Sequence, residues 1–169
     1  MCKWLIMIVL LDLSLPVFAA PSPACTAPEY HRLNFWLGDW DTFEANGKGP
    51  SEARNHVTSI LGGCAILERY EGTDGLIGES FTIYDASRKV WHQSWVTNRG
   101  HLLVLEGHFK GYMLTLEGTE VGDDHKPVLI RGTWIPQLDG VRETAYISKD
   151  YGKTWSMDFD ILFKPHYGK

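Results

Sequence analysis

The sequence predicts an all-β protein, an up-and-down antiparallel barrel of about ten strands with a short N-terminal helix. From residue 39 onward, apolar-rich runs are separated by nine short turn sequences built from Gly, Asp and Asn, and no run keeps a helical period. Strands joined in chain order by tight turns form a meander, and closing the meander into a barrel removes its exposed edges. A β-sandwich is the alternative, but it needs long crossover connections, for which residues 121–127 are the one candidate.

Residues 1–20 match a secretory signal peptide. Lys3 gives a positive start, the apolar run Trp4–Leu11 follows, and Val17-Phe18-Ala19 fits a cleavage site with small residues. The apolar run has eight residues, which is too short to cross a bilayer, and no later run approaches membrane length. We therefore expect a secreted or periplasmic protein without a membrane span.

The remaining chain divides into a tether and one domain. Residues 21–37 begin with a segment rich in Pro, Ala and Ser and continue into a short helix from Glu29 to Leu37, which Gly38 ends. Residues 38–169 are predicted to form a single barrel domain, as suits a chain of 169 residues.

Export gives the cysteines a structural role. Cys2 is lost with the signal peptide, which leaves Cys25 and Cys64 in an oxidising compartment, where two thiols are expected to pair. The disulfide would close a loop of about 40 residues and contribute roughly 3–4 kcal/mol by chain entropy.

Composition excludes several function classes. The net charge of −5 gives no basic surface for nucleic acid. The seven histidines form no metal-binding motif, so we predict no metal and no cofactor; His166 is the candidate to consider if haem were bound. The chain also lacks a G-x-S-x-G nucleophile motif and a phosphate-binding loop, which argues against common hydrolase chemistry.

Some strands alternate clearly, whereas others are apolar on both faces. Met157, Phe159, Ile161 and Phe163 are expected to share one face of the last strand. The runs 90–96 and 102–105 carry apolar residues on both faces, which indicates that both faces are covered. The tether, the short helix or another subunit could provide this cover, so a homodimer is one expectation.

The sequence SKDYGKTW, residues 148–155, resembles the Asp-box turn of propeller blades. The chain is too short for a propeller and contains no second copy of the turn. We therefore predict a hairpin corner in which Asp150 accepts backbone N–H bonds, Gly152 takes a positive φ and Trp155 packs under the loop.

Three sets of residues are candidates for a binding site. Glu68 shares a strand face with Ile66 and Tyr70, where a carboxylate is costly unless it is paired or protonated; it could equally be an exposed or ion-paired strand residue. Trp91, Gln93 and Trp95 alternate along one strand and could form a ligand wall or ordinary barrel core. Arg142 could stack on Trp40 as a cation–π pair or bind an acidic ligand head.

The stretch NFWLGDWD, residues 34–41, places Gly38 and Trp40 where the helix passes into the first strand. Together with GGCAILERYEG, GESFTIYD, KVWHQSWV, GTW and SKDYGKTW in that order, it resembles a family of small exported bacterial proteins of unknown function over residues 25–164. The resemblance implies a lipocalin-like, calycin-type barrel whose end is plugged by Trp40, and no settled activity. Arg142-Glu143 departs from the family pattern, in which Arg-Gln is expected.

These observations predict a protein that binds one small apolar or amphipathic molecule inside the barrel. Trp91 and Trp95 would wall the pocket, while Glu68, Gln93 and Arg142 would orient a polar end of the ligand. The alternative is a cofactor-independent isomerase, cyclase or lyase in which Glu68 acts as acid or base and Gln93 stabilises an oxyanion.

Overall fold

The computed structural model describes residues 24–45, 49–122 and 124–168, so the predicted signal peptide lies outside the described residues. Its ten strands form one closed antiparallel barrel in which each strand pairs with its chain neighbours and β10 pairs with β1. This confirms the predicted fold class. The strands are β1 (Gly38–Glu44), β2 (Ala53–Ile60), β3 (Ala65–Gly72), β4 (Ile77–Asp85), β5 (Val90–Thr97), β6 (Leu102–Lys110), β7 (Met113–Val121), β8 (Pro127–Gln137), β9 (Gly140–Ser148) and β10 (Ser156–Pro165).

The short N-terminal helical segment consists of two 3₁₀ turns, Pro28–His31 and Asn34–Trp36. The backbone N–H of Trp36 donates to the carbonyl of Leu33, three residues earlier, at 3.0 Å. This spacing places both side chains on the same side of the tight turn, where both are buried. The segment therefore follows the end of the barrel instead of continuing as a regular helix. No helix in the described ranges is long and apolar enough to cross a membrane.

One end of the barrel, here called the floor, is filled by aromatic side chains. The fully buried Trp36 ring lies 6.0 Å from the ring of Trp134 and 6.1 Å from that of Phe163, measured between centroids. The indole N–H of Trp40 donates to the carbonyl oxygen of Trp36 at 2.9 Å. Two tryptophans thus share the plugging role that the sequence assigned to Trp40.

The predicted disulfide between Cys25 and Cys64 is confirmed, with a Cα–Cα distance of 5.1 Å. Cys64 follows the corner Leu61–Gly63 between β2 and β3. The bond therefore fixes the segment before Pro28 to a corner of the barrel.

The turn between β9 and β10 has the predicted hydrogen bonds. Asp150 Oδ1 accepts the backbone N–H of Thr154 at 2.8 Å. Gly152 has a φ of 83°, and the indole N–H of Trp155 donates to its carbonyl oxygen at 3.2 Å. The carboxylate and the left-handed glycine together close the corner, as the sequence indicated.

Strand β10 does not alternate as the sequence predicted. Met157 pairs with Tyr146, but the next paired residue is Phe159, opposite Ala145, so Asp158 is an extra residue in a β-bulge. The bulge reverses the alternation, which leaves Met157 exposed on the outside while Phe159 turns towards the lumen. Side-chain periodicity in sequence cannot show this shift.

The outward faces of β4, β5 and β6 carry exposed apolar side chains. Phe81 is 48% exposed and Val104 42% exposed, although the sequence predicted cover on this side. The face also includes Ile77, Ile83, Val96 and Leu102.

Candidate functional site

A cavity of about 480 Å³ lies inside the barrel. It reaches the end opposite to the floor, here called the mouth, where Glu52, Leu76 and His101 stand just before β2, β4 and β6. Most of its wall is apolar or aromatic. The apolar and aromatic lining residues are Tyr70, Leu76, Trp95, Leu103, Leu105, Ile130, Trp134, Ala145, Phe159, Ile161 and Phe163.

Glu68 lies in the wall of the cavity on the inward face of β3. The side-chain amide of Asn55 donates to its Oε1 at 3.0 Å, and the hydroxyl of Ser80 donates to its Oε2 at 2.7 Å. Burial raises the pKa of Glu68 to about 7, because charge is costly away from water, and the two hydrogen bonds limit the rise. The carboxyl can therefore exchange a proton near neutral pH.

Gln93 lines the same cavity from β5, one hydroxyl away from Glu68. Its amide nitrogen donates to Thr82 Oγ1 at 3.1 Å and to Ser80 Oγ at 3.5 Å. Ser80 in turn donates to Glu68, so Gln93 supports the carboxyl through this hydroxyl. The side-chain N–H groups of Gln93 are therefore already donated to the hydroxyls of Thr82 and Ser80 in the cavity wall.

Glu143, which is half-buried, is a second carboxyl in the lumen, and the sequence reasoning missed it. It stands on β9 between the inward-facing Val141 and Ala145, and that alternation was the available signal. Burial raises its pKa well above the usual range, and the nearby charge of Glu68 raises it further. The indole N–H of Trp134, which makes no hydrogen bond of regular geometry to the described residues, offsets part of this rise.

The structure separates the two tryptophans of β5. Trp95 lines the cavity, with its ring 6.1 Å from that of Tyr70. Trp91 lies deeper, packed 5.6 Å from Phe109 and 5.8 Å from Tyr84, and does not line the cavity. The prediction that Trp91 walls the pocket is therefore corrected. Four residues of strand span about 13 Å, so one face of β5 reaches both the cavity and the floor.

Arg142 points outward and does not line the cavity. Its Nε donates to Asp160 Oδ1 at 2.7 Å, and its Nη2 bonds the other oxygen of that carboxylate. The prediction that Arg142 orients a ligand inside the barrel is corrected, because Val141 and Glu143 on either side of it take the inward positions.

His166 and His92 lie outside the cavity. Nδ1 of His166 is 2.9 Å from Asp41 Oδ2 on the surface, which argues against a buried haem ligand. His92 faces outward between Glu106 and Ser94. His101 does line the mouth, where it pairs with Glu120. Within the described ranges, no group of three or more His, Cys, Asp or Glu side chains could hold a metal ion.

Comparison with known proteins adds no assignment for this site. No family model matches the chain, and no curated protein matches it. The cavity and its side chains are therefore the features from which a function can be inferred.

Proposed function

We propose that the protein is exported and binds one small, largely apolar or amphipathic molecule inside its barrel. The observation that carries this proposal is the cavity of about 480 Å³, with apolar walls and buried polar groups at one side. Ligand sites in proteins are concave, mostly apolar and supplied with a few converging polar groups, in a size range of roughly 300–1,000 Å³.

The cost of this interior supports a binding role over a purely structural one. An unfilled cavity loses packing contacts, and Glu68 and Glu143 are desolvated in its wall. A barrel selected for stability alone would gain from replacing these groups with packed apolar side chains. A bound molecule offsets the cost by filling the space and pairing the polar groups.

Export and family membership belong to the same proposal. The pattern of residues 1–20 and the disulfide between Cys25 and Cys64 support an oxidising compartment. The buried Trp36 and Trp40 at the floor support the resemblance to small exported barrels with the FWLG-x-WD motif. Mass spectrometry of the protein isolated from the periplasm or medium should show an N-terminus shortly after Ala19 or Ala20.

Binding can be tested by tryptophan fluorescence, since Trp95 and Trp134 line the cavity. The panel contains lipids, retinoids, aromatic acids and aromatic amines, and at least one class should change the emission saturably. Ala145→Leu fills the cavity from the wall and should weaken that binding, whereas Val104→Leu enlarges an exposed outer residue and should leave it unchanged.

Folding of both variants is checked by circular dichroism, and Leu103→Trp provides a second filling variant nearer the mouth. If the ligand binds equally well to folded Ala145→Leu and folded Leu103→Trp, the cavity is not the binding site and the proposal is wrong.

A cofactor-independent enzyme is the second candidate, favoured by the two lumen carboxyls of Glu68 and Glu143. Two carboxyls with raised pKa values in one lumen can hold one proton and release another, as general acid and base catalysis requires. The oxyanion role predicted for Gln93 has less support, because its amide already donates to Thr82 and Ser80.

The two candidates differ in what happens to the molecule that co-purifies. The parent and Glu68→Gln are incubated with the extracted molecule, which is then identified by mass spectrometry. Recovery of the same molecule from both proteins supports binding alone, and conversion by the parent only supports catalysis.

A further inference from the structure

We infer that the ligand is an amphipathic cation, whose amine docks against Glu68 and Glu143 while its apolar part lies along the aromatic wall. This inference rests on the proposed binding function and names the chemical class of the ligand.

The charges around the cavity favour a cation. Five carboxyl side chains line it, and among the described residues no lysine or arginine does. The carboxyl-bearing residues are Glu52, Glu68, Glu120, Glu143 and Asp158. His101 is the basic side chain at the mouth, and it is already paired with Glu120. A cationic head group would find partners among these carboxyls, whereas an anionic head group would find no lysine or arginine to pair with among the described lining residues.

Inside the lumen, the two glutamates differ in how well their oxygens are satisfied. Glu68 accepts hydrogen bonds from Asn55 and Ser80. Among the described residues, Glu143 has no comparable pair of donors. The polar group beside it is the indole N–H of Trp134, which itself lacks a regular hydrogen bond to any of them. Since Glu143 lines the cavity, its oxygens are available to a donor on a ligand. An ammonium group brings three N–H donors and the countercharge that both carboxyls lack.

The aromatic wall suits the same ligand. Tyr70, Trp95 and Phe159 line the cavity, and aromatic faces attract cations as well as apolar groups. An amine with a hydrophobic tail would therefore bury its tail against the wall while its charge approaches the carboxyls. The bulge in β10 adds Asp158 at the mouth, which attracts cations towards the opening.

Binding of a cation should release protons. Without a ligand, burial keeps protons on the pair by raising both pKa values, and the charge of Glu68 raises the pKa of Glu143 further. A bound ammonium lowers them and displaces a proton, so the affinity should rise with pH until the amine itself loses its charge.

The test uses three probes with one carbon skeleton: 4-phenylbutylamine, 4-phenylbutanol and 4-phenylbutanoate. Isothermal titration calorimetry of the full mature protein at about pH 8 measures each affinity, at a pH where the amine is charged. We expect the amine to bind about tenfold or more tightly than the carboxylate, with the alcohol between them. Repeating the amine titration in two buffers of different ionisation enthalpy should show proton release.

Substitution identifies the anchor. Glu143→Gln should weaken amine binding by about tenfold while changing the affinity for the alcohol by less than about threefold. Glu117→Gln, an exposed glutamate that pairs with Arg131 outside the barrel, should change neither affinity. If Glu143→Gln does not fold, as judged by circular dichroism, Glu68→Gln replaces it with the same expectations.

The outcomes separate this inference from the binding proposal. If the alcohol or the carboxylate binds as tightly as the amine, the inference is overturned and binding in the cavity stands. If none of the three probes binds at millimolar concentration, both the inference and the cavity as a site for such molecules are rejected.

Discussion

Ionisation of Glu68 or Glu143 destabilises the folded barrel, because both carboxyls are desolvated in one lumen. The surface carboxylates Glu106 and Asp150 behave in the opposite way, because their ionised forms are stabilised in the folded state. The pKa of Glu106 is lowered to about 2 by hydrogen bonds from Arg88 and His92, and that of Asp150 to about 2 by hydrogen bonds from Thr154 and Ser148. The pH dependence of stability therefore separates the lumen pair from the surface carboxylates.

Glu143→Gln should raise stability at neutral and alkaline pH. Below the unfolded pKa of about 4.5, Glu143 is protonated in both the folded and the unfolded state and does not change the free energy of unfolding. As pH rises, Glu143 ionises first in the unfolded chain. The folded state therefore loses stability relative to the unfolded state until the pH passes the raised pKa of Glu143 in the folded protein. The gain of the variant in melting temperature should be near zero at about pH 4 and grow to several degrees by about pH 8.

Glu29→Gln, on the exposed first 3₁₀ turn, is the control and should show no such trend. Surface carboxylates affect parent and variant alike, so they cancel in the difference. If the gain of Glu143→Gln in melting temperature were constant from about pH 4 to about pH 8, the assignment of Glu143 as a desolvated acid would be wrong.

Gly78→Ala should disturb the cavity wall through Trp95. A Cβ atom at Gly78 would lie 2.2 Å from the Trp95 ring, so the indole must move into the lumen or the strand must shift. Overpacking of this kind costs about 1–3 kcal/mol. We expect a lower melting temperature, a changed tryptophan emission and weaker binding of 4-phenylbutylamine.

Gly168→Ala is the matched control, because the nearest atom to its added Cβ, His166 Nε2, is 4.0 Å away. Equal effects of the two substitutions would show that Trp95 does not pack on Gly78.

At the scale of elements, single strands serve two regions of the molecule. Strand β5 contributes Trp91 to the floor and Gln93 and Trp95 to the cavity, while its outward face carries His92 and Val96. Strand β9 places Glu143 inside and Arg142 outside. The role of a strand residue therefore depends on which face of the sheet it occupies and on how far it lies between the mouth and the floor of the barrel.

The disulfide joins the N-terminal segment to the corner between β2 and β3, and its removal should lower stability without changing the strand order. For the sequence separation of 39 residues, the chain-entropy estimate is roughly 3–4 kcal/mol. The double variant Cys25→Ser/Cys64→Ser should lose about that much free energy of unfolding in urea titrations.

Reductant gives an internal control for this prediction. It should shift the urea midpoint of the parent towards that of the double variant and leave the variant unchanged. A parent whose midpoint does not respond to reductant under unfolding conditions would show that the disulfide does not contribute to stability.

At the scale of the whole molecule, the closed barrel pairs every strand but leaves apolar side chains outside on β4, β5 and β6. The homodimer considered from sequence remains a prediction, and this apolar face is where the two copies would meet. Sedimentation velocity should show self-association that increases with protein concentration, because burial of the face removes apolar area from water. Phe81→Glu should shift the protein towards the monomer.

Met157→Glu is the control for that experiment, since Met157 is similarly exposed, at 52%, but lies on β10 away from this face. A parent protein that sediments as a monomer at every concentration would contradict the homodimer.

The features that depend on local chemistry could be predicted from the amino-acid sequence. Alternation and turn residues were sufficient to predict a ten-stranded antiparallel barrel, because adjacent antiparallel strands need only short connections. The pairing of Cys25 with Cys64 followed from their being the two cysteines beyond the predicted signal peptide. The corner at Asp150 and Gly152 followed from the side-chain acceptor and the left-handed φ that such a turn requires.

Which inward positions share the cavity depends on how the ten strands close into the barrel, and the sequence pattern could not predict this. Periodicity gives the face of a residue but not its depth, so it could not separate Trp91 from Trp95 or place Arg142 on the outside. Glu143 and Glu68 stand on strands far apart in the chain, and they interact because closure of β1 against β10 bends the sheet around one lumen. The extra residue Asp158 resets the alternation of β10, which no local pattern signals. Glu68 and Glu143 lie near each other because barrel closure brings distant strands around a shared interior. A local sequence pattern contains no information about which distant residues meet there.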